Sequence, residues 1–490
     1  MTATAHASAA DASGKEIRVS REMLPIRVSG SLDSVFEQGK KQRSPVLAVV
    51  TGTKPDFYKQ APLVIEAVRQ GVPAFVINTG QHFDDLLGFG VKEFELDRFV
   101  GCNLQIRGDL MEKASELILK FGYFGRHCSR RFGASPMLPI VHGDTLVAGI
   151  APLAWVFGMG QKVGQNEAGL RSMSPQSMKR LSPAREPDKK AAEGFVHDQF
   201  YGKWFLAREE PFPEQIDTWI CSAGTQFFFA PTQLNKDHLV REGYPEEFVY
   251  VVGNSVVDAI HQKRRRGRRV ERSVFDIYPQ LEKGEWMRMD IHRRENLTER
   301  RFKAIIGGLV EIVKSTDKKV VLVMLNATAS ALKEYGLESK LNTLAQDHPG
   351  KFLITPLWKE YANVVEFLDS GHCWAEMTDS GSMQEELLYF PKVASLTVRL
   401  NTDRPETVFD ARSNVLVPPL NPSWLVSMVE HADSRLRAKK KKQIYGRPGQ
   451  VSKKIIRIIK KEFENGDANF YPWLHQRLGL WKERQGISYM

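Results

Sequence analysis

Carboxylates, cations and histidines recur in one place in this chain, directly after short apolar runs. Val46 to Val50 is followed by Gly52-Thr-Lys-Pro-Asp-Phe-Tyr-Lys59, Ala74 to Asn78 by Thr79-Gly-Gln-His82, and Leu138 to Val141 by His142-Gly-Asp-Thr145. Asn166-Glu-Ala-Gly-Leu-Arg171 follows the stretch ending at Gly164. The second half contributes His292-Arg-Arg-Glu-Asn296, Thr378-Asp-Ser-Gly-Ser382 with Gln384-Glu-Glu386, and Thr402-Asp-Arg-Pro-Glu406. Carboxylates suit proton transfer and the stabilisation of positive charge. Serine, glycine and arginine suit phosphate. Taken singly, each residue has an ordinary use: Asp144 or Asp379 as a helix cap, Glu167 in a turn, His292 in a loop, Arg171 or Arg404 in an ion pair. Their joint placement in both halves argues for a site. A metal centre of His82, His142, Asp144 and His292 is not indicated, since no HxH or HExxH spacing occurs.

Such residues need elements that gather the ends of the runs. Apolar runs alternate with helical patterns, among them a predicted helix from Pro62 to Gln70, which implies parallel sheets covered on both faces. In open α/β sheets, ligands bind beyond the carboxyl ends of the strands. Further strands are predicted at Trp286 to Asp290, Val320 to Leu325, Phe352 to Thr355, Cys373 to Met377, Val393 to Val398 and Asn414 to Val417. The expected architecture is α/β: two Rossmann-like doubly wound domains with a cleft between them. Residues 1–44 read as a loosely attached extension and 45–258 as the first domain. Residues 259–283 read as a linker, 284–430 as the second domain and 431–490 as basic C-terminal helices and a tail.

At 490 residues the chain is too long for one hydrophobic core. With 42% hydrophobic and 26% charged residues it is neither disordered nor fibrous. The net charge of +11 suits an anionic ligand without choosing among phosphorylated substrate, lipid and nucleic acid. Lys439 to Lys442 and the Ile455, Ile456, Ile458, Ile459 pattern read as a packing helix with a solvated charged face, so nucleic acid is not expected as a partner. Cys102, Cys128, Cys221 and Cys373 form no CxxC pair, which points to a reducing, cytoplasmic setting. No apolar run approaches the roughly 20 residues that span a bilayer, and membrane insertion is not expected.

The motifs GTKPDFYKQAPL (52–63), GQH (80–82), VHGDT (141–145), EAGLRS (167–172), PEQID and FFAPT (213–232), GNSVVD (253–258), HRREN (292–296), TDSGSMQEE (378–386) and TDRPE (402–406) resemble, in order, the signatures of UDP-N-acetylglucosamine 2-epimerases, hydrolysing and non-hydrolysing. The resemblance implies a GT-B-like pair of Rossmann domains, a UDP-sugar substrate, a homodimer and no cofactor or metal. It assigns catalysis to Asp144, Glu167, Glu214 and His292. It assigns substrate contacts to Lys54, Lys59, Gln81, His82, Arg171, Asn254, Arg293, Ser380, Gly381, Ser382, Glu386 and Arg404, with Arg399 as a further candidate. The implied reaction eliminates UDP to a glycal and re-adds it, giving the 2-epimer. The same fold also fits hydrolysis of the intermediate, sugar transfer to an acceptor, or a non-catalytic binding protein.

The chain departs from the family pattern at several points. Ser382 replaces a glycine, and Gln215, Asp217 and Thr218 stand where the family shows glutamate, asparagine and arginine. Met324 stands where histidine is frequent, and Phe83-Asp84 differ from enzymes regulated by their own substrate. A long insertion, Ser172 to Phe212, lies between two of the carboxylates, and from that position it is expected to overhang the cleft as a lid or acceptor site.

Overall fold

The computed structural model describes residues 26–80, 96–133, 137–208, 210–265, 272–436 and 441–464. The strands are β1 (Arg27–Val28), β2 (Val46–Thr51), β3 (Ala74–Asn78), β4 (Val100–Asn103), β5 (Met137–His142), β6 (Val163–Asn166), β7 (Met173–Pro175), β8 (Trp204–Leu206), β9 (Thr225–Ala230), β10 (Val249–Val251), β11 (Trp286–Asp290), β12 (Lys319–Met324), β13 (Phe352–Pro356), β14 (Cys373–Thr378), β15 (Ala394–Thr397) and β16 (Asn414–Leu416). Among the described residues they form an eight-stranded sheet, β1-β4-β3-β2-β5-β6-β9-β10, and a six-stranded sheet, β13-β12-β11-β14-β15-β16, with β7 and β8 as a separate pair. Both large sheets are parallel apart from β1. Helices cover both faces of these sheets, which is why Val46–Thr51 and Cys373–Thr378 are buried at every position. The fold is GT-B-like, two facing Rossmann-like sheets.

Several elements differ from expectation. The helix expected from Pro62 spans Lys54–Arg69, beginning well before that residue: Thr53 and Asp56 form a capping box, and Pro55 sits in the first turn where its missing N–H costs nothing. The apolar run before Gly164 is the helix Leu146–Met159, and β6 begins only at Val163. The expected loose extension contributes packed structure from residue 27 onward. β1 adds to the sheet edge, and the helix Ser31–Gln42 buries Leu32 and Phe36, whose ring stacks on Phe132 at 4.2 Å. The expected linker opens with the helix Val256–Arg265. Near the end of the chain, the helix Val451–Glu464 returns to pack on Lys54–Arg69, burying Ile455, Ile456 and Ile459 in a core shared with Leu63, Val64 and Ile260.

The insertion does not form a lid. Its helix Lys189–Tyr201 packs against the second sheet, with Phe195 edge-on to Trp424 at 5.3 Å and Phe200 in the same core as Val415 and Val417. Gln199 caps the sheet's edge strand: its amide oxygen accepts the Leu416 N–H at 2.7 Å and its amide nitrogen donates to the Leu416 carbonyl at 3.1 Å. Among the described residues of the insertion, only Phe212, at its return, lines the cleft. At its start, Met173 exchanges backbone bonds with Thr402 at 2.8 and 2.9 Å, and Ser174 donates to the Leu400 carbonyl at 2.7 Å, joining the first half to the second. Gln199→Leu should lower stability by about 1–3 kcal/mol, because two buried backbone groups lose their partners. Urea unfolding of the full chain checks this.

Candidate active site

Strand order reverses between β2 and β5 in the first sheet and between β11 and β14 in the second. These switch points are where loops diverge and leave a crevice. The segments leaving the four strands carry Thr53 and Lys54, Gly143 and Asp144, His292 and Arg293, and Ser380 and Gly381. Two carboxylates tie the loops pairwise. Asp56 accepts the Gly52 and Thr53 N–H groups at 3.1 and 3.0 Å with one oxygen and lies 3.0 Å from His142 Nδ1 with the other. Asp379 accepts the N–H groups of His292 and Arg293 and the Asn296 amide, at 2.9 to 3.1 Å.

Glu167 sits at the floor of the first half with φ of 59°, a left-handed conformation that costs a non-glycine residue about 1–2 kcal/mol. It is held there from three sides. Lys59 Nζ is 2.6 Å from Oε1, His142 Nε2 is 3.3 Å from Oε2, and Arg404 reaches Oε2 at 3.5 Å. Burial would raise its pKa, but Lys59 and His142 hold the carboxylate well below the ordinary range. Burial would likewise lower His142, yet Glu167 and Asp56 raise it to about 9, so it is an imidazolium at neutral pH. Lys59, fully buried, also contacts Glu385; burial disfavours its charge, and the two glutamates more than offset that.

Arg404 carries the second half's charge into this cluster, 2.7 Å from Asp144, 3.0 Å from Glu385 and 2.5 Å from Asp403. Asp144 is nonetheless pushed up by burial, with Asp403 and Glu214 adding repulsion against the pull of Arg404. Across the cleft, Arg293 pairs with Glu214. His292 lies 3.1 Å from Asp379; burial opposes the charge on each, yet their attraction raises the histidine and draws the aspartate down to about 2. Asp290, His292 and Asp379 lie close enough to share a cation. Asp290, however, already accepts from Thr378 at 2.5 Å and Arg288 at 2.8 Å, and Asp379 from three donors, so the trio reads as a hydrogen-bonded brace.

These groups surround a cavity of about 380 Å³ between the halves. Lys59, Asp144, Glu214, His292, Arg293 and Arg404 line it, as do Ser380, Gly381 and Ser382. Glu386 is set beside it, accepting from Tyr361 at 2.7 Å and Ser382 at 2.8 Å, and Asn254 donates to Glu385 at 3.0 Å. Lys54 lies over the Tyr58 ring, which stacks on Tyr361. Arg399 donates to the Asp379 carbonyl and to Asp403, bracing the second half. Arg171 does not reach the cavity: it is buried behind it, paired with Glu242 at 2.5 Å and bonded to Thr218 and Ser222. Gln81 and His82 lie outside the described residues.

Four carboxylates of the site escaped the sequence reading. Asp56 was legible as the capping partner of Thr53, and Glu385 and Asp403 as neighbours of Glu386 and Arg404. Asp217, pushed up to about 8 by burial and by Glu214 and Asp144, stood out only as a departure from the resembling pattern.

Facing Rossmann-like sheets with carboxylates and cationic groups gathered about the cleft between them define a GT-B-like fold. A family model described as UDP-N-acetylglucosamine 2-epimerase matches residues 206–460. The chain belongs to that family. It is 25% identical to the UDP-N-acetylglucosamine 2-epimerase of Methanocaldococcus jannaschii over 425 residues, covering 84% of this chain and 98% of the relative. It is 29% identical to that of Bacillus subtilis over 373 residues, covering 73% and 80%. The crystal structure of the Methanocaldococcus jannaschii enzyme with UDP-GlcNAc and UDP superposes with a TM-score of 0.66 at 25% identity, covering 85% of this chain and 99% of that one. The Neisseria meningitidis enzyme bound to UDP-GlcNAc, at 23% identity and a TM-score of 0.64, shares the fold over 85% of this chain and all of its own.

Lys59→Met keeps the length of the side chain but removes the cation that Glu167 and Glu385 share, leaving His142 and Arg404 alone to balance them. It should lower unfolding free energy by about 3–5 kcal/mol at pH 7, and by less at pH 5, where one carboxyl more readily takes a proton. Urea unfolding at both pH values checks the sign.

Proposed function

We propose that this chain interconverts UDP-N-acetylglucosamine and UDP-N-acetylmannosamine by eliminating UDP to a glycal and re-adding it with the other configuration at C2. The observation that carries the reading is the cross-cleft cavity in which Asp144 and Glu214 meet Lys59, His292, Arg293 and Arg404, with Glu167 buried against Lys59 and Arg404. The C2 hydrogen of a nucleotide sugar has no adjacent carbonyl to acidify it, so bond breaking at C1 must lead. Glu167, held ionised, stabilises the positive charge that grows at the anomeric carbon. His292, Arg293 and Arg404 receive the departing diphosphate.

Arg293 and Arg404 pair with Glu214 and Asp144. Phosphate oxygens draw these guanidiniums toward themselves, freeing the two carboxylates to exchange protons at C2. Burial that raises Asp144 brings it nearer the working pH of an acid/base. Transfer to an acceptor held by the insertion has little support, because its helix lies on the edge of the second sheet.

The chain acts in the cytoplasm, its described cysteines all buried and unpaired. Among the described residues no helix is long and apolar enough to cross a membrane. It works as a homodimer, which would cover exposed Met111, Leu119 and Tyr123 on the helix Leu110–Phe132 and Phe157 on its neighbour. Sedimentation of the purified protein should give twice the chain mass, and Phe157→Glu should lower it.

Proton NMR with UDP-N-acetylglucosamine in deuterated buffer should show deuterium entering C2 of both UDP-sugars. Free N-acetylmannosamine with UDP would instead mark the hydrolysing reaction, and an untouched substrate would remove the reading. Glu214→Gln should bind UDP within a few-fold of the parent while turnover falls by about 10²–10⁴.

A further inference from the structure

Asp144, Glu167, Glu214 and Glu385 each have a cationic partner. Asp217 also lines the cavity and is 3% exposed, yet it has no such partner among the described residues. It follows Glu214 by three residues on the helix Glu214–Ala223, so the two side chains share a face. Asp217 Oδ2 has no hydrogen-bond partner, and neither has Glu214 Oε2. Ionised carboxylates can only accept, so a proton held on Asp217 turns its unpartnered oxygen into a donor beside Glu214 on the same helix face.

Room for Asp217 is made by Gly149 of the helix Leu146–Met159, where a Cβ would stand 2.6 Å from Oδ1. The neighbouring Gln215, at a position where the family pattern carries glutamate, accepts the Ser172 N–H at 2.8 Å. Asp217 is faced by Glu214 and the buried Cys221 thiol on its own helix, by Asp144 from the turn after β5, and by His292, Arg293 and Glu295 lining the cavity from the second half.

We propose that Asp217 is a positioning residue that holds a proton for Glu214, acting through Glu214 on the sugar and not touching it. In the transfer, the Oδ2–H bond of Asp217 breaks, an O–H bond forms on Glu214 Oε2, and the negative charge passes to Asp217. Glu214 then protonates C2 of the intermediate on the face opposite Asp144. Asp217 regains a proton, and Asp144 loses the one it took, through water entering the open cavity between turnovers. The proposal rests on the epimerase reading above.

The test is the pH dependence of turnover and of C2 deuterium incorporation, in the parent and in Asp217→Asn, whose amide can bond to Glu214 but cannot give up a proton usefully. Asp217 keeps its proton up to about pH 8, so parent turnover should fall as pH rises through that value. The variant should turn over at least about tenfold more slowly, bind UDP within twofold of the parent, and lose the decline near pH 8. Only the later decline, as His142 deprotonates near pH 9, should remain. A merely structural role would leave the profile's shape unchanged. Parental turnover that stays level from pH 7 to 9 overturns the proposal even if the variant does not fold. So does a variant with the parent's rate and profile. A parent that exchanges no C2 hydrogen at any pH overturns the epimerase reading, and the proposal with it.

Discussion

Arg404 is a buried guanidinium that enters the first half's carboxylate cluster from the second half, and the geometry of the cleft depends on it. A charge this deep in protein survives only with partners of opposite sign close by. Asp144, Glu167, Glu385 and Asp403 are those partners, and Lys59 and His142 in turn balance the surplus of carboxylate. Each member is affordable only because the others are present, so the two sheets are held at the spacing that brings the two sets of charges together. Glu167 can keep its left-handed backbone because three cations fix its side chain.

The same electrostatics sorts otherwise identical carboxylates into different roles. Glu167 sits among cations and stays ionised; Asp217 sits among carboxylates and keeps its proton. Asp144 lies between these extremes, pushed up by burial yet anchored by Arg404. This spread arises from the placement of cations around residues of the same kind.

The sheets were legible because fully buried parallel strands read as unbroken β-branched and apolar runs, as Val46–Thr51 illustrates. The start of the helix Lys54–Arg69 was harder, although Thr53, Pro55 and Asp56 spell a cap, because the apolar rhythm becomes plain only after Pro62. β7 and β8 are three residues each and owe their form to one another and to Thr402, a tertiary cause that no local pattern carries. The role of Glu385 could not be separated from that of Glu386, since successive helical side chains diverge by about 100° and only the packed structure decides which one faces Lys59. Arg171 sits in a motif with Glu167 but points the other way, toward Glu242, because the chain turns between them and only the packed structure sets that turn's direction. The insertion was misplaced because its position between two site carboxylates says where it leaves and rejoins the chain, not where its helix finds an apolar surface.

The return of the helix Val451–Glu464 onto Lys54–Arg69 also bears on the order in which the molecule can be made. Asp258 holds the N–H groups of Gly449 and Ser452 at 2.6 and 2.7 Å, so this helix is pinned to the first half at its start as well as along its face. A chain emerging from a ribosome presents the first sheet long before that cover exists, with Leu63, Val64 and Ile260 lacking the isoleucines that close over them. Domains ordinarily fold as they appear. Here the first sheet's cover is a helix that follows the whole second sheet in the chain, and a chain halted before that helix would carry an uncovered apolar face.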